Sequence, residues 1–167
     1  NTAVDDELVE LSNTICADAY SDYEKILKIH DWVAENIYYN FDYFYGASTD
    51  ITYDALGVYR SKKSVCEGYA NLTQALVQAQ NIPCRKVSAY ALGLGEKNIW
   101  SEETANAQKS NHALVQAYVD DRWINIDATW DSGNRYEDGQ FIYEGIENHH
   151  YFDISDIFFS YSHKYIY

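Results

Sequence analysis

The hydrophobic period of this chain changes once, and that change limits the folds open to it. In the patterned stretches up to about Gln80 apolar residues recur every three to four positions; beyond Pro83 they tend to alternate, in runs rich in Val, Ile, Tyr and Trp. Helices therefore come first and strands second, with no alternating βα units, which predicts an α+β architecture with an antiparallel sheet. At 167 residues the chain is long enough to bury one core without disulfide or metal support, so residues 1–167 are read as a single domain.

Leu8, Leu11, Ile15 and Ala19 give a first helix over Asp5 to Ala19. Ser21 followed by Glu24 has the spacing of a capping box, and Ile26, Ile29, Val33 and Ile37 then mark a second helix that ends between Asn36 and Asn40. Tyr38 to Tyr45 holds six aromatics in eight positions with no period, and reads as an irregular, partly buried loop. Such a loop covers a core or lines a substrate groove.

Val65 to Gln80 reads as a helix that begins at a cysteine; Asn81 tolerates the left-handed conformation that ends it, and Pro83 blocks its continuation. Three strands are expected over Arg85 to Leu92, His112 to Val119 and Arg122 to Trp130, the last two joined by a turn at Asp120-Asp121. Residues 93–111 are polar and unpatterned, with a short helix expected around Glu102 to Gln108. Near the end, Ser155 caps a further short helix, and the terminal residues add an edge strand.

The formal charge of −14 repels phosphate backbones and anionic lipid surfaces, which argues against nucleic-acid partners. No run approaches the roughly 18 apolar residues of a membrane span, so no membrane insertion is expected. The chain starts at Asn1 and contains no Met, the expected mark of an upstream segment removed, and targeting information is expected to have gone with it. This start, the acidity and the 17 tyrosines suit an extracellular or cell-surface location, with a cytoplasmic one left open. The sequence does not define an oligomeric state.

Cys16, Cys66 and Cys84 form neither a paired disulfide framework nor a metal knuckle. A Cys16–Cys84 bridge in an oxidising compartment would leave Cys66 as the lone thiol. Cys66 opens its helix, where unsatisfied backbone N–H groups favour the thiolate. A two-residue turn at Asp120-Asp121 pairs Val119 with Arg122 and places Asp127 opposite Leu114, on the face that His112 shares. His112 and Asp127 then become diagonal neighbours roughly 7–8 Å apart at the backbone, within reach of an imidazole and a carboxylate. A shift of one residue would put them on opposite faces. Cys66, His112 and Asp127 are thus the candidate nucleophile, base and orienting acid.

The segments SVCEGYANLTQAL, NIPCRKVSAYALG, NHALVQAYVDDRWINIDATWD and YFDISDIFFSYSHKY, with KILKIHDWVAENIYY upstream, resemble a bacterial transglutaminase-like domain. The likeness runs from about Ser21 to Tyr165, with residues 1–20 as an N-terminal helix before that core. It implies a papain-like fold in which the Cys-bearing helix packs on an antiparallel sheet, with Cys66, His112 and Asp127 as a catalytic triad. The sequence departs from the family pattern at Leu114 and Val115, where a Trp and an Asn usually follow the histidine, and at Asn81, where Gly usually precedes Ile-Pro.

Tyr39 is a candidate donor to a developing oxyanion, beside the Cys66 N–H. Asp131 is a second choice for the orienting acid, expected in a loop beyond the strand. His149 and His150 are adjacent and point apart, which disfavours a shared metal; His30 is expected to cap the core or make a surface hydrogen bond, and His163 has no assigned role. No metal and no cofactor are expected. The implied chemistry is thiol-dependent acyl transfer on peptide or glutamine amides through a thioester, ending in hydrolysis or in cross-linking to an amine. The alternative is a catalytically inactive module that binds protein or glycan through its aromatic loops.

Overall fold

A computed structural model describes residues 5–92 and 99–167. The first half runs α1 (Asp6–Cys16), α2 (Asp22–Asn36), β1 (Tyr38–Asn40), α3 (Phe41–Phe44), α4 (Ala55–Ser61), β2 (Lys63–Ser64) and α5 (Cys66–Gln78). There follow β3 (Cys84–Ala91), α6 (Glu102–Ala105), β4 (His112–Val119), β5 (Arg122–Ile126), α7 (Ala128–Asp131), β6 (Arg135–Glu137), β7 (Gln140–Ile142), β8 (Phe152–Ile154), α8 (Asp156–Phe159) and β9 (His163–Tyr165).

The helix starts follow their side chains. The Ser21 hydroxyl accepts Glu24 N–H at the head of α2, a cap worth about 1 kcal/mol, and Glu24 in return accepts Tyr20 N–H. Asn81 adopts φ 59° just beyond α5, and Ser155 caps α8 by accepting from Phe158 N–H. The short helix expected within residues 93–111 is α6, opened by a Ser101–Thr104 capping box; residues 93–98 of that stretch lie outside the described part.

The larger sheet is antiparallel in the order β8-β5-β4-β3-β9, and the C-terminal strand β9 takes the expected edge position. Helix α5 crosses it, and Leu72, Leu76 and Val77 join Val115, Ala117, Ile124 and Ile126 of the strands with Ile26, Ile29 and Val33 of α2 in one core. Leu114 points the other way, onto Ala89 and Phe159. This is the period of two read along β4.

Two expectations fail for physical reasons. Tyr38 to Tyr45 is not an irregular loop but β1 followed by α3, because Tyr38–Asn40 finds backbone partners in β2 and β6, remote in sequence. Three residues are too few to carry a period, so the second sheet, β2-β1-β6-β7, left no signal. The strand expected to reach Trp130 stops at Ile126, because Asp127 turns the chain into α7 by accepting Trp130 N–H at 3.3 Å on its own carboxylate.

The β4–β5 register runs from Val119↔Arg122 to Val115↔Ile126, as the two-residue turn requires. Asp120 and Asp121 both lie in the left-handed region, at φ 52° and 62°, where type I′ turns favour Asn-Gly. The double change D120N/D121G is expected to raise stability by about 1 kcal/mol and the melting temperature by about 2–4 °C without moving the register. Thermal denaturation checks this, with Asp121→Val lowering the midpoint as the control.

Candidate active site

Three elements converge on one end of the larger sheet. Cys66 is the first residue of α5, and its N-cap Val65 offers no side-chain acceptor, so the first N–H groups of the helix are left to other partners. Gly68 sets how closely this end approaches β2 and α4: a Cβ there would overlap Ser64 Oγ and lie 2.8 Å from Val58 Cγ2. Tyr69, fully buried, fixes the helix by donating to Ile37 O at 2.9 Å.

All three cysteines are free thiols, but they differ in setting. Cys16 and Cys84 are buried in the core, and burial raises both thiols, that of Cys84 to about 12. The bridge considered between them is not made. Cys66 alone is half-buried and opens a helix.

His112 opens β4, and its Nε2 lies 2.5 Å from Asp127 Oδ2, with both side chains buried. Burial opposes a charge on the ring, but the Asp127 carboxylate overrides it, and with a smaller contribution from Cys66 the His112 pKa is raised to about 10. Cys66 is near enough to act on the same ring, and with Nε2 taken by Asp127, Nδ1 is the nitrogen left for the thiol. For Asp127, burial likewise opposes the charge, while His112 and then His163 hold the carboxyl well below the usual range. Asp127 thus serves two parts at once, cap of α7 and partner of His112.

His163 and Trp130 complete the surroundings of this pair, and the sequence marked neither. His163 is buried with its Nε2 3.4 Å from Asp127 Oδ2, a contact without hydrogen-bond geometry, and its Nδ1 is 2.7 Å from Ser162 Oγ. Burial lowers its pKa, and the neighbouring His112 lowers it further against the pull of Asp127. His112 pairs with Ala89 and His163 with Ala91, so the two rings meet, at 5.2 Å between centroids, over two alanines of β3. The Trp130 ring lies 4.5 Å from His163 and 6.1 Å from His112. An aromatic wall beside the histidine thus comes from α7, although Leu114 and Val115 stand where the family pattern has Trp and Asn.

Tyr39 packs among Phe41, Phe44 and Tyr69. Burial first, then the nearby Cys66 thiol, pushes its phenol up, so it stays a protonated donor close to Cys66. Asp131 is not in a loop and not at this site: it is fully buried in α7 and lies 2.8 Å from His30 Nε2. His30, expected to cap the core or bond at the surface, is fully buried between Asp131 and Asp31, and His149 reaches Asp31 rather than His150. Among the described residues, two groups bring three metal-type donors within 4.8 Å of one another: His112, Asp127 and His163, all buried, and His30, Asp31 and His149.

This architecture and site define a papain-like thiol-enzyme fold. The chain belongs to the transglutaminase-like superfamily, whose core model matches residues 9–128. Among curated relatives it is 26% identical to the kyphoscoliosis peptidases of Mus musculus, over 126 residues, and Homo sapiens, over 129; each alignment covers 75% of this chain. The chain spans only 18% of the length of either relative. Among solved structures, a candidate cysteine protease from Cytophaga hutchinsonii is 29% identical, with a TM-score of 0.56 over 74% of this chain and 37% of that one. A TGase structure at 21% identity shares the fold, with a TM-score of 0.50 over 78% and 32% of the two chains. Among the described residues no helix is long and apolar enough to cross a membrane.

The His112–Asp127 pair makes stability depend on pH with a defined sign. The raised His112 value contributes stability that is fully present below about 6.5, its ordinary value, and is lost as pH rises toward about 10. The depressed Asp127 carboxyl contributes above about 3.9 and loses its contribution as pH falls below that. Melting temperature is therefore expected to decline between about pH 6.5 and 10, and Asp127→Asn should flatten that decline. Thermal melts across this window in both proteins check it.

Proposed function

We propose that the chain is a thiol-dependent acyl transferase on peptide amides, with Cys66 as nucleophile, His112 as acid and base, and Asp127 orienting the ring. One observation carries this reading: His112 is paired with a buried carboxylate, near the cysteine that opens a 13-residue helix. The family and the relatives named as peptidase or cysteine protease support the same class of chemistry.

In this reading His112 takes the Cys66 proton as the sulfur attacks. Cys66 Sγ forms a bond to the amide carbonyl carbon, and the oxyanion is received by the Cys66 N–H with the Tyr39 hydroxyl as second donor. The C–N bond breaks as His112 gives its proton to the leaving nitrogen, leaving a thioester. Water then attacks the thioester carbon as His112 takes a proton from it; the C–S bond breaks, the carboxylic acid product leaves, and His112 returns the proton to the Cys66 sulfur. Cys66 is half-buried rather than enclosed, so water reaches the thioester directly, which supports hydrolysis as the outcome.

Cys66→Ala is expected to abolish cleavage of a labelled peptide library, and His112→Ala to reduce it about 10²–10⁴-fold. Incorporation of a labelled amine into glutamine peptides, run alongside, shows whether an amine displaces water as acceptor. Iodoacetamide at pH 6 should alkylate Cys66 at least about tenfold faster in the native chain than in His112→Ala. The buried Cys16 and Cys84 contribute little background. Equal, slow alkylation in both proteins would sink the catalytic reading and favour a binding module.

His163 is proposed as a positioning residue in the same reading, neutral and presenting Nε2–H toward Asp127. Replacing it with Phe keeps a ring against Phe159, on which His163 stacks at 4.3 Å, but removes the N–H. His163→Phe is expected to lower kcat about tenfold with KM nearly unchanged and to move the acid limb of the pH profile upward. A purely structural role would leave that limb in place.

A further inference from the structure

The group around His30 lies apart from the thiol site. The His30 side chain is fully buried with a carboxylate at each ring nitrogen: Asp131 Oδ2 2.8 Å from Nε2 and Asp31 Oδ1 2.9 Å from Nδ1. His149 brings its Nε2 to the same Asp31 oxygen at 2.8 Å. A neutral imidazole has one N–H, so it can donate to only one of the two carboxylates and must turn a lone pair on the other. The arrangement is satisfied in one of three ways: a second proton on His30, a proton on the buried Asp131 carboxyl, or a cation shared by His30 Nδ1 and Asp31.

We infer that His30 Nδ1, Asp31 Oδ1 and His149 Nε2 form a binding site for a divalent transition metal of the zinc type, with Asp131 as the carboxylate behind His30. Three features favour the metal over the proton. The donors are two imidazoles and a carboxylate, a set that suits zinc. Asp131 holds the far nitrogen of a buried histidine, the usual partner of a metal-bound imidazole, and so fixes the tautomer with Nδ1 free for the ion. Asp31 and His149 are 37% and 52% exposed, which leaves an entry path and room for water as a fourth ligand.

Metal–ligand bonds of about 2.0–2.2 Å at tetrahedral angles place donor atoms roughly 3.3 Å apart. Asp31 therefore has to back away from each ring by about half an ångström, and its partly exposed side chain can do so. The ion would tie α2 to the segment before β8. That segment also serves the thiol site, because Tyr151 donates its N–H to Asp131 and accepts Asp127 N–H at 2.8 Å on its carbonyl.

The test uses the tag-free Cys66→Ser chain, which keeps zinc off the thiol. Zn²⁺ is titrated by calorimetry, Co²⁺ by visible absorption, and melting temperature is followed with and without Zn²⁺. The expected result is one equivalent bound, a raised melting temperature, and cobalt bands of a four-coordinate nitrogen–oxygen site. H149A removes an exposed ligand and should weaken binding about 100-fold or more while leaving the metal-free melting temperature unchanged. Affinity should fall as pH falls, because protons and the ion compete for the same ligand atoms. Absence of a saturable first equivalent, or binding indifferent to H149A, would overturn the site and leave a proton-held network. Binding lost in His112→Ala but kept in H149A would place the ion at the thiol site and overturn it equally.

Discussion

The Asp127 carboxylate is 1% exposed, and a charge taken that far from water must be met by partners on every side. His112 meets Oδ2, Trp130 N–H meets Oδ1, and His163 stands against Oδ2 from the neighbouring edge. Each contact fixes a different part of the fold: the start of β4, the break from β5 into α7, and the seat of β9. The structure around the thiol is arranged by the need to keep this one carboxylate charged.

That need also explains the small residues between the two histidines. Ala89 and Ala91 lie on the face where His112 and His163 meet, and a longer side chain at either position would hold the rings apart. Phe159 and Trp130 close over His163. The surroundings of the carboxylate are thus apolar beyond its immediate partners, which strengthens its interaction with His112. The same enclosure pushes the His163 pKa down while the carboxylate pulls that of His112 up.

A second buried carboxylate, Asp131, lies four residues on and faces the opposite neighbour, α2. Between them α7 is a single turn with an acid at each end, each paired to a buried histidine. The role of Asp131 as a rival acid followed from its sequence distance to Asp127. The turn of helix between them sends the two side chains to different partners, so they do not compete.

The sequence by itself determined the order of helices and strands, the helix that begins at Cys66, and the register that puts His112 and Asp127 on one face. These rest on local rules: side-chain period, capping residues such as Ser21, and the parity of a two-residue turn. Only the tertiary structure decided the rest. The second sheet, the burial of His30, the place of Trp130 and the arrival of His163 depend on pairings between segments remote along the chain, which no local period records. His163 is a residue near the end of the sequence until β9 pairs with β3; that pairing carries it across two alanines to Asp127.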